Sequence, residues 1–239
     1  MLLWELRIVV FIATRKVMRR ILSNKVPSIS GIIFKKIAIV LFVIFLCPSI
    51  IKAENDGANV AVLMGDSITE SWYRNDPDFF TSNKFLGKGV SGQTTSQMLC
   101  RFRQDVVAHS PEFVVILAGT NDIALNGGPI SLEDIFANIA SMCDIAKANN
   151  IKPVLCSVLP CIQYKWRPEV TDAADKVVAL NVMLKEHAEK SGFIYVDYHT
   201  PMKNEMNGLP ESLSHDGCHP TLEGYRIMEN ILSDALKLN

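Results

Sequence analysis

Short apolar runs alternate with amphipathic stretches from residue 59 to the end of the chain. The apolar runs predict five β-strands, at 59–65, 85–90, 113–120, 152–160 and 193–198. Apolar residues at spacings of three and four predict helices between and after these strands, at 95–109, 131–150, 172–192 and 221–238. Strands joined by crossover helices predict an α/β fold, with one five-stranded parallel sheet and helices on both of its faces.

The amino-terminal part of the chain differs in character. Residues 37–47 form an unbroken apolar run, preceded by two lysines and followed by a proline. Such a run is shorter than the roughly 20 residues that cross a bilayer, but it matches the core of a secretory signal. Ala53 offers a small residue for cleavage. We therefore expect residues 1–53 to be an export signal or membrane anchor, and residues 54–239 to be one exported domain, periplasmic or secreted.

The segment before this apolar run leaves the type of signal open. Residues 1–34 contain a second apolar patch and a basic cluster, and they are longer than the usual start of a signal. Translation from Met18 and a segment that lies on or in the membrane both fit. Cys47 ends the run, where a lipoprotein signal carries its acceptor cysteine, but Leu46 is larger than the residue such signals favour at that point.

The net charge of the domain points to a neutral or small substrate. The whole chain has 24 Lys and Arg against 25 Asp and Glu. Nine of the basic residues and one acidic residue lie in residues 1–53, which leaves 15 basic and 24 acidic residues in the domain. A nucleic acid would be repelled on average by this excess of negative charge.

The cysteines do not indicate a disulfide framework. Five of the six lie in the domain, an odd number without a CxxC pair. Cys156 and Cys161 are near enough in sequence that they could pair in an oxidising compartment.

Polar residues follow three of the predicted strands. Ser67 comes directly after the first strand in "GDSIT", "GTND" at 119–122 follows the third, and "HDGCHP" at 215–220 follows the fifth. Ligands of open parallel sheets bind outside the carboxyl ends of the strands. These three segments are therefore expected to converge on one edge of the sheet.

The residue types in these segments suit nucleophilic catalysis. A serine hydroxyl needs a base to take its proton, and histidine has the appropriate pKa at neutral pH. Asp216 stands three residues before His219, so its carboxylate can orient the ring if the chain turns at Gly217. His215 is a rival base, but it is adjacent to Asp216, and neighbouring side chains in a loop rarely face each other.

An attacking serine also requires donors for the oxyanion. Asn121 can supply a side-chain N–H, Gly92 can present a backbone N–H with no side chain in the way, and Ser67 can give its own N–H. Asp122, beside Asn121, is expected to be structural.

Four blocks, "GDSIT", "GVSGQTT", "GTND" and "DGCHP", occur in this order over the whole domain and resemble the SGNH, or GDSL-type, ester hydrolases. The resemblance implies a three-layer flavodoxin-like fold and a carboxylic ester hydrolase that needs no cofactor or metal. It implies Ser67 as nucleophile, Gly92 and Asn121 as oxyanion-hole donors, and Asp216 and His219 as orienting acid and base.

Other interpretations of the same residues remain open. Ser67 could cap the first helix, with Glu70 completing a capping box. A flavodoxin-like fold could also bind the phosphate of a flavin at this loop, but that function leaves Asp216 and His219 unexplained.

A metal site is a further alternative. "HDGCH" places His215, Cys218 and His219 close together. A closed zinc site needs about four ligands, and the sequence offers no companion pair of Cys or His, so a metal is not expected.

The substrate is indicated only by the segment that follows the fourth strand. Residues 160–170 carry Tyr164, Trp166 and Arg167, whose flat groups can stack on sugar faces. This predicts a short acyl group, such as acetyl, on a carbohydrate or another small ester, although the rings could instead pack the loop down. Trp72 is expected to line or floor the site. The resemblance equally allows lysophospholipids and thioesters, and the oligomeric state stays open.

Overall fold

The computed structural model describes residues 60–238. The predicted export signal, Cys47 and the domain boundary after Ala53 lie outside these residues.

Five strands form one parallel sheet in the order β2-β1-β3-β4-β5, as the apolar runs predict. The strands are β1 Ala61–Gly65, β2 Phe85–Gly89, β3 Phe113–Leu117, β4 Lys152–Cys156 and β5 Ile194–Val196. The chain leaves β1 to form β2 on one side and then returns past β1 to form β3. The carboxyl end of β1 is therefore a topological switch point, where ligands of such sheets bind.

Helices cover both faces of the sheet. The α-helices are α1 Ser67–Asn75, α2 Pro77–Ser82, α3 Thr95–Asp105, α4 Thr120–Ile123, α5 Leu132–Ala148, α6 Ala173–Ser191, α7 His199–Met202 and α8 Leu222–Leu236. A 3₁₀ helix follows α3 at Val107–His109. The four long predicted helices are confirmed within a few residues. Ser131 is the N-cap of α5 and accepts from the backbone N–H of Asp134.

The two faces of the sheet build two separate hydrophobic clusters. Successive strand residues point to opposite faces. Val62 and Met64 of β1 pack with α3, α5 and α6 on one face, whereas Ala61 and Leu63 pack with α1, α2 and α8 on the other. This arrangement is the predicted three-layer fold. Among residues 60–238, none of the helices is long and apolar enough to cross a membrane.

The start of α1 is held by contacts with the sheet and by its cap. A Cβ on Gly89 of β2 would overlap the backbone at Glu70, so only a glycine allows α1 to lie this close. Asp66 is the N-cap and its Oδ1 accepts from the N–H of Ile68 at 2.9 Å. The helix therefore begins at Ser67, and the interpretation of Ser67 as the cap is wrong.

The capping carboxylate is buried. Asp66 is 1% exposed, and this burial raises its pKa to about 6, although the hydrogen bond from Ile68 partly opposes the shift. An aspartate in the unfolded chain has a pKa of about 3.9. Folding therefore costs more free energy when Asp66 is ionised.

The Asp66→Asn variant tests this cost. Asparagine caps helices as well as aspartate does but carries no charge. The folded pKa lies above the unfolded pKa, so the wild type loses stability as the pH rises between these two values. We expect the unfolding free energy of the wild type, minus that of the variant, to fall by about 2 to 3 kcal/mol between pH 4 and pH 7. Urea unfolding at a series of pH values measures this difference.

The control is Asp78→Asn, which changes an exposed aspartate in α2. We expect it to alter the unfolding free energy by less than about 0.5 kcal/mol at each pH. A wild-type minus Asp66→Asn difference that is constant over this pH range would contradict the account.

Candidate active site

Three polar side chains form a continuous chain of hydrogen bonds at the carboxyl edge of the sheet. Ser67 Oγ lies 2.9 Å from His219 Nε2, and His219 Nδ1 lies 2.7 Å from Asp216 Oδ2. The first contact joins residues that are 152 positions apart in sequence. The structure thus brings together the three residues that the sequence predicts as nucleophile, base and orienting acid. Their catalytic roles remain predictions.

The orientation of Asp216 is set by its own loop. Its Oδ1 accepts from the backbone N–H groups of Cys218 and His219, at 2.9 and 2.8 Å, which leaves Oδ2 for the imidazole ring. Burial by itself raises the pKa of Asp216, but the hydrogen bonds from His219 and Cys218 outweigh it and hold this pKa well below its usual value. The carboxylate therefore stays ionised next to the ring.

Ser214 supports this loop and was not predicted from the sequence. Its Oγ lies 3.1 Å from Asp216 Oδ1 and 2.8 Å from the carbonyl oxygen of His219, and it accepts from the N–H of Gly217. The φ angle of Gly217 is +82°, so the chain turns where the sequence requires it. The sequence signal that could have indicated this role is the serine directly before "HDGCH".

The rival histidine lies outside this arrangement. His215 is exposed, and its carbonyl oxygen accepts from Lys165 Nζ at 3.0 Å.

Within residues 60–238, no group of three or more His, Cys, Asp or Glu side chains is placed to hold a metal ion.

The two predicted oxyanion-hole segments contact each other. Asn121 in α4 is 3% exposed, and its Nδ2 donates to the carbonyl oxygen of Gln93 at 3.1 Å. Gln93 directly follows Gly92, which has a φ of +76° and open space where a Cβ would stand. The "GTND" and "GVSGQTT" segments are thus joined through the side-chain amide of Asn121, a predicted oxyanion donor.

Asp122 is structural, as predicted. Its carboxylate accepts from the N–H of Thr95 at 2.9 and 3.1 Å and from the Thr95 hydroxyl at 2.7 Å. Burial raises the pKa of Asp122, and the Thr95 hydrogen bonds partly offset this shift. The contacts fasten α4 to the first turn of α3.

Arg101 is a second residue that sequence reasoning missed. Its guanidinium donates to the carbonyl oxygens of Gly65 and Lys88, at 2.9 and 3.0 Å, and to Gln93 Oε1 at 2.5 Å. It also pairs with Asp105, 2.7 Å away and one helical turn on. Arg101 therefore holds the ends of β1 and β2 and the loop of Gly92. The only sequence signal is an Arg and Asp spaced four apart on α3.

Two of the predicted substrate-binding residues are exposed or partly exposed, and one of them, Trp166, lies next to His219. Trp166 is 41% exposed, its ring centre lies 6.1 Å from that of His219, and its Nε1 donates to Asn126 Oδ1 at 3.1 Å. Arg167 is partly exposed, with Glu169 Oε1 at 3.6 Å from its guanidinium.

The other two are buried, so their predicted contact with substrate is wrong. Tyr164 has no exposed surface, and its hydroxyl lies 3.0 Å from Thr120 Oγ1. Trp72 is 2% exposed, stacks on Tyr225, and donates through Nε1 to Glu229 at 3.1 Å. The rim loop turns Tyr164 inwards, while Trp72 lies on the face of α1 that packs against α8.

The suggested pairing of Cys156 with Cys161 is also wrong. Both are free thiols, and they belong to the hydrophobic clusters on opposite faces of the sheet. The Cys161 thiol instead donates to the carbonyl oxygen of Gln163 at 3.6 Å, and interaction with the Cys218 thiol lowers the pKa of Cys161.

Comparisons with known proteins agree with this geometry. Residues 63–227 match the model of the GDSL-like lipase/acylhydrolase family. A solved GDSL-like lipase from Bacteroides thetaiotaomicron VPI-5482 is 47% identical, with a TM-score of 0.73, and the likeness covers 74% of this chain and 87% of that one. An acetylxylan esterase from Geobacillus stearothermophilus is 22% identical over 154 residues, 61% of this chain and 68% of that relative.

A lipoprotein from Bacillus subtilis (strain 168), named YqeF, is 30% identical over 142 residues, or 52% of this chain. The match spans 58% of the length of that relative. These findings confirm the predicted family and fold, and they support the predicted enzyme class, carboxylic ester hydrolase. Because the family match spans more than half of the chain and contains all four sequence blocks, this chain belongs to the GDSL-like lipase/acylhydrolase family.

Proposed function

We propose that this protein is a serine ester hydrolase that works through an acyl-enzyme. Ser67 is the nucleophile, His219 the general base and Asp216 the orienting acid. The observation that carries the proposal is the unbroken hydrogen-bond chain, 2.9 Å from serine to histidine and 2.7 Å from histidine to aspartate. A phosphate-binding module of the same fold would have no use for this chain.

The reaction follows from the order of these contacts. As Ser67 Oγ attacks the ester carbonyl carbon, its proton passes to His219 Nε2. The ionised Asp216 stabilises the imidazolium, which then gives the proton to the departing alcohol. Water, activated by the same histidine, releases the acid and restores the serine.

The oxyanion formed at each step is stabilised by three donors. Ser67 is the first residue of α1, so its N–H has no acceptor within the helix. The N–H of Gly92 and the Nδ2 of Asn121 complete the set. Loss of one such donor typically costs about 10² to 10³ in rate.

The substrate proposed is a carbohydrate or other small molecule that carries a short acyl group. The exposed ring of Trp166 beside His219 supports it, because an indole face can stack on a sugar. The acetylxylan esterase among the relatives also supports it. Export of the protein, with the option of attachment to a membrane, is supported by the apolar run at 37–47 and by the lipoprotein among the relatives.

Replacement of Ser67 by alanine tests the reaction. We expect kcat/KM for p-nitrophenyl acetate to fall by at least about 10³-fold, because the nucleophile is lost while the fold remains. Release of p-nitrophenol measures the rate, and the octanoate ester in parallel reports the preferred acyl length.

Ser141→Ala, which changes a serine on the outer side of α5, is the matched control and should retain full activity. Equal turnover by the wild type and Ser67→Ala would show that Ser67 is not the nucleophile.

The Trp166→Ala variant tests the carbohydrate substrate. Loss of a stacking ring costs about 1 kcal/mol, so KM for an acetylated xylo-oligosaccharide should rise about fivefold. KM for p-nitrophenyl acetate should change less. Acetate release gives both constants, and Trp166→Phe, which keeps an aromatic face, should preserve the KM for the sugar. If KM for the acetylated sugar were unchanged in Trp166→Ala, Trp166 would not stack on the sugar.

A further inference from the structure

A line of hydrogen bonds runs from the rim of the site to the oxyanion hole. Trp166 Nε1 donates to Asn126 Oδ1 at 3.1 Å, and Asn126 Nδ2 donates to Asn121 Oδ1 at 2.7 Å. Asn121 Nδ2 in turn donates to the carbonyl oxygen of Gln93 at 3.1 Å. The backbone N–H of Asn126 also donates to the carbonyl oxygen of Asn121 at 2.9 Å, so the two asparagines are joined twice.

The direction of this line is set by chemistry. An indole N–H can only donate, so it must meet the oxygen of the Asn126 amide. That leaves the nitrogen of Asn126 facing Asn121, which must then present its own oxygen. A carbonyl oxygen can only accept, so Gln93 requires the nitrogen of Asn121. The two ends of the line therefore agree on one orientation for both amides.

This orientation decides whether Asn121 can serve the reaction. An asparagine amide has an oxygen on one side and an NH₂ group on the other, of similar shape. Only the NH₂ side can stabilise a negative oxygen. One of its two hydrogens is used by Gln93, and the other is available to the oxyanion.

We propose that Asn126 is a positioning residue, which holds the Asn121 amide in the orientation that presents its N–H to the oxyanion. The inference rests on the function proposed above and extends it to a residue outside the four sequence blocks. It also gives Trp166 a second task, because the indole N–H fixes the orientation of Asn126.

The Asn126→Asp variant tests the inference with a nearly isosteric change. A carboxylate cannot donate to Asn121 Oδ1, and it attracts the Asn121 nitrogen instead, so the oxyanion donor is lost. We expect kcat for p-nitrophenyl acetate at pH 8 to fall by about 10²-fold, with KM changed by less than about threefold.

A pH series separates positioning from a general structural role. A protonated carboxyl group can donate to Asn121 Oδ1 while its other oxygen accepts from Trp166. The ratio of variant kcat to wild-type kcat should therefore rise as the pH falls from 8 to 5. A kcat within threefold of the wild type at pH 8, or a ratio that does not change with pH, would overturn the inference.

Two further variants complete the design. Asn150→Asp makes the same change at an exposed position between α5 and β4, and it should keep the wild-type kcat. If Asn126→Asp does not fold, Trp166→Phe provides the test, because it removes only the donor that orients Asn126. It should lower kcat for p-nitrophenyl acetate about three- to tenfold, and an unchanged kcat would overturn the inference.

Ser67→Ala in the same assay distinguishes the two possible failures. An inactive Ser67→Ala beside a fully active Asn126→Asp overturns the positioning role alone. A fully active Ser67→Ala overturns the proposed function and, with it, the role of Asn126.

Discussion

The hydrogen bond between Ser67 Oγ and His219 Nε2 is the contact on which the site depends. It joins the start of α1, just after the first strand, to the loop before the last helix, so its length is set by the whole fold. The position of each partner is also fixed by neighbouring hydrogen bonds. Asp66 caps the helix that begins at Ser67, and the backbone N–H groups around Asp216 fix the carboxylate that orients the ring. A short contact between two distant segments is thus obtained from rigid local structure on both sides.

The fold supplies this rigidity at the switch point of the sheet. Strand β1 lies between β2 and β3, and its carboxyl end meets loops from both sides. Arg101 binds the ends of β1 and β2 together, and Asp122 fastens the "GTND" segment to α3. Asp122 is buried and Arg101 is partly buried, and both are extensively hydrogen-bonded, which is the condition for placing charged groups away from water. Their contacts fix the segments that carry the predicted oxyanion donors relative to the end of β1, which Ser67 follows.

The strands and the long helices could be predicted because hydrophobic periodicity is a local property of the chain. The contact of Ser67 with His219, and of His219 with Asp216, could be predicted because catalysis restricts the residue types that follow particular strands. The burial of Tyr164 could not be predicted, since it depends on how the rim loop bends, and Trp166, two residues later, remains exposed. Asn126 carried no local signal, because its role depends on contacts with a residue five positions away and another 40 positions away.

The central claim is that Ser67 is a nucleophile activated by His219. The most direct measurement is covalent labelling by a fluorophosphonate, followed by mass spectrometry of the digested protein. The account predicts one adduct per chain, on the peptide that contains Ser67, and labelling at least about 10²-fold slower in His219→Gln, because the base contributes about that much. An adduct on another residue, or equal labelling rates with and without the histidine, would contradict it.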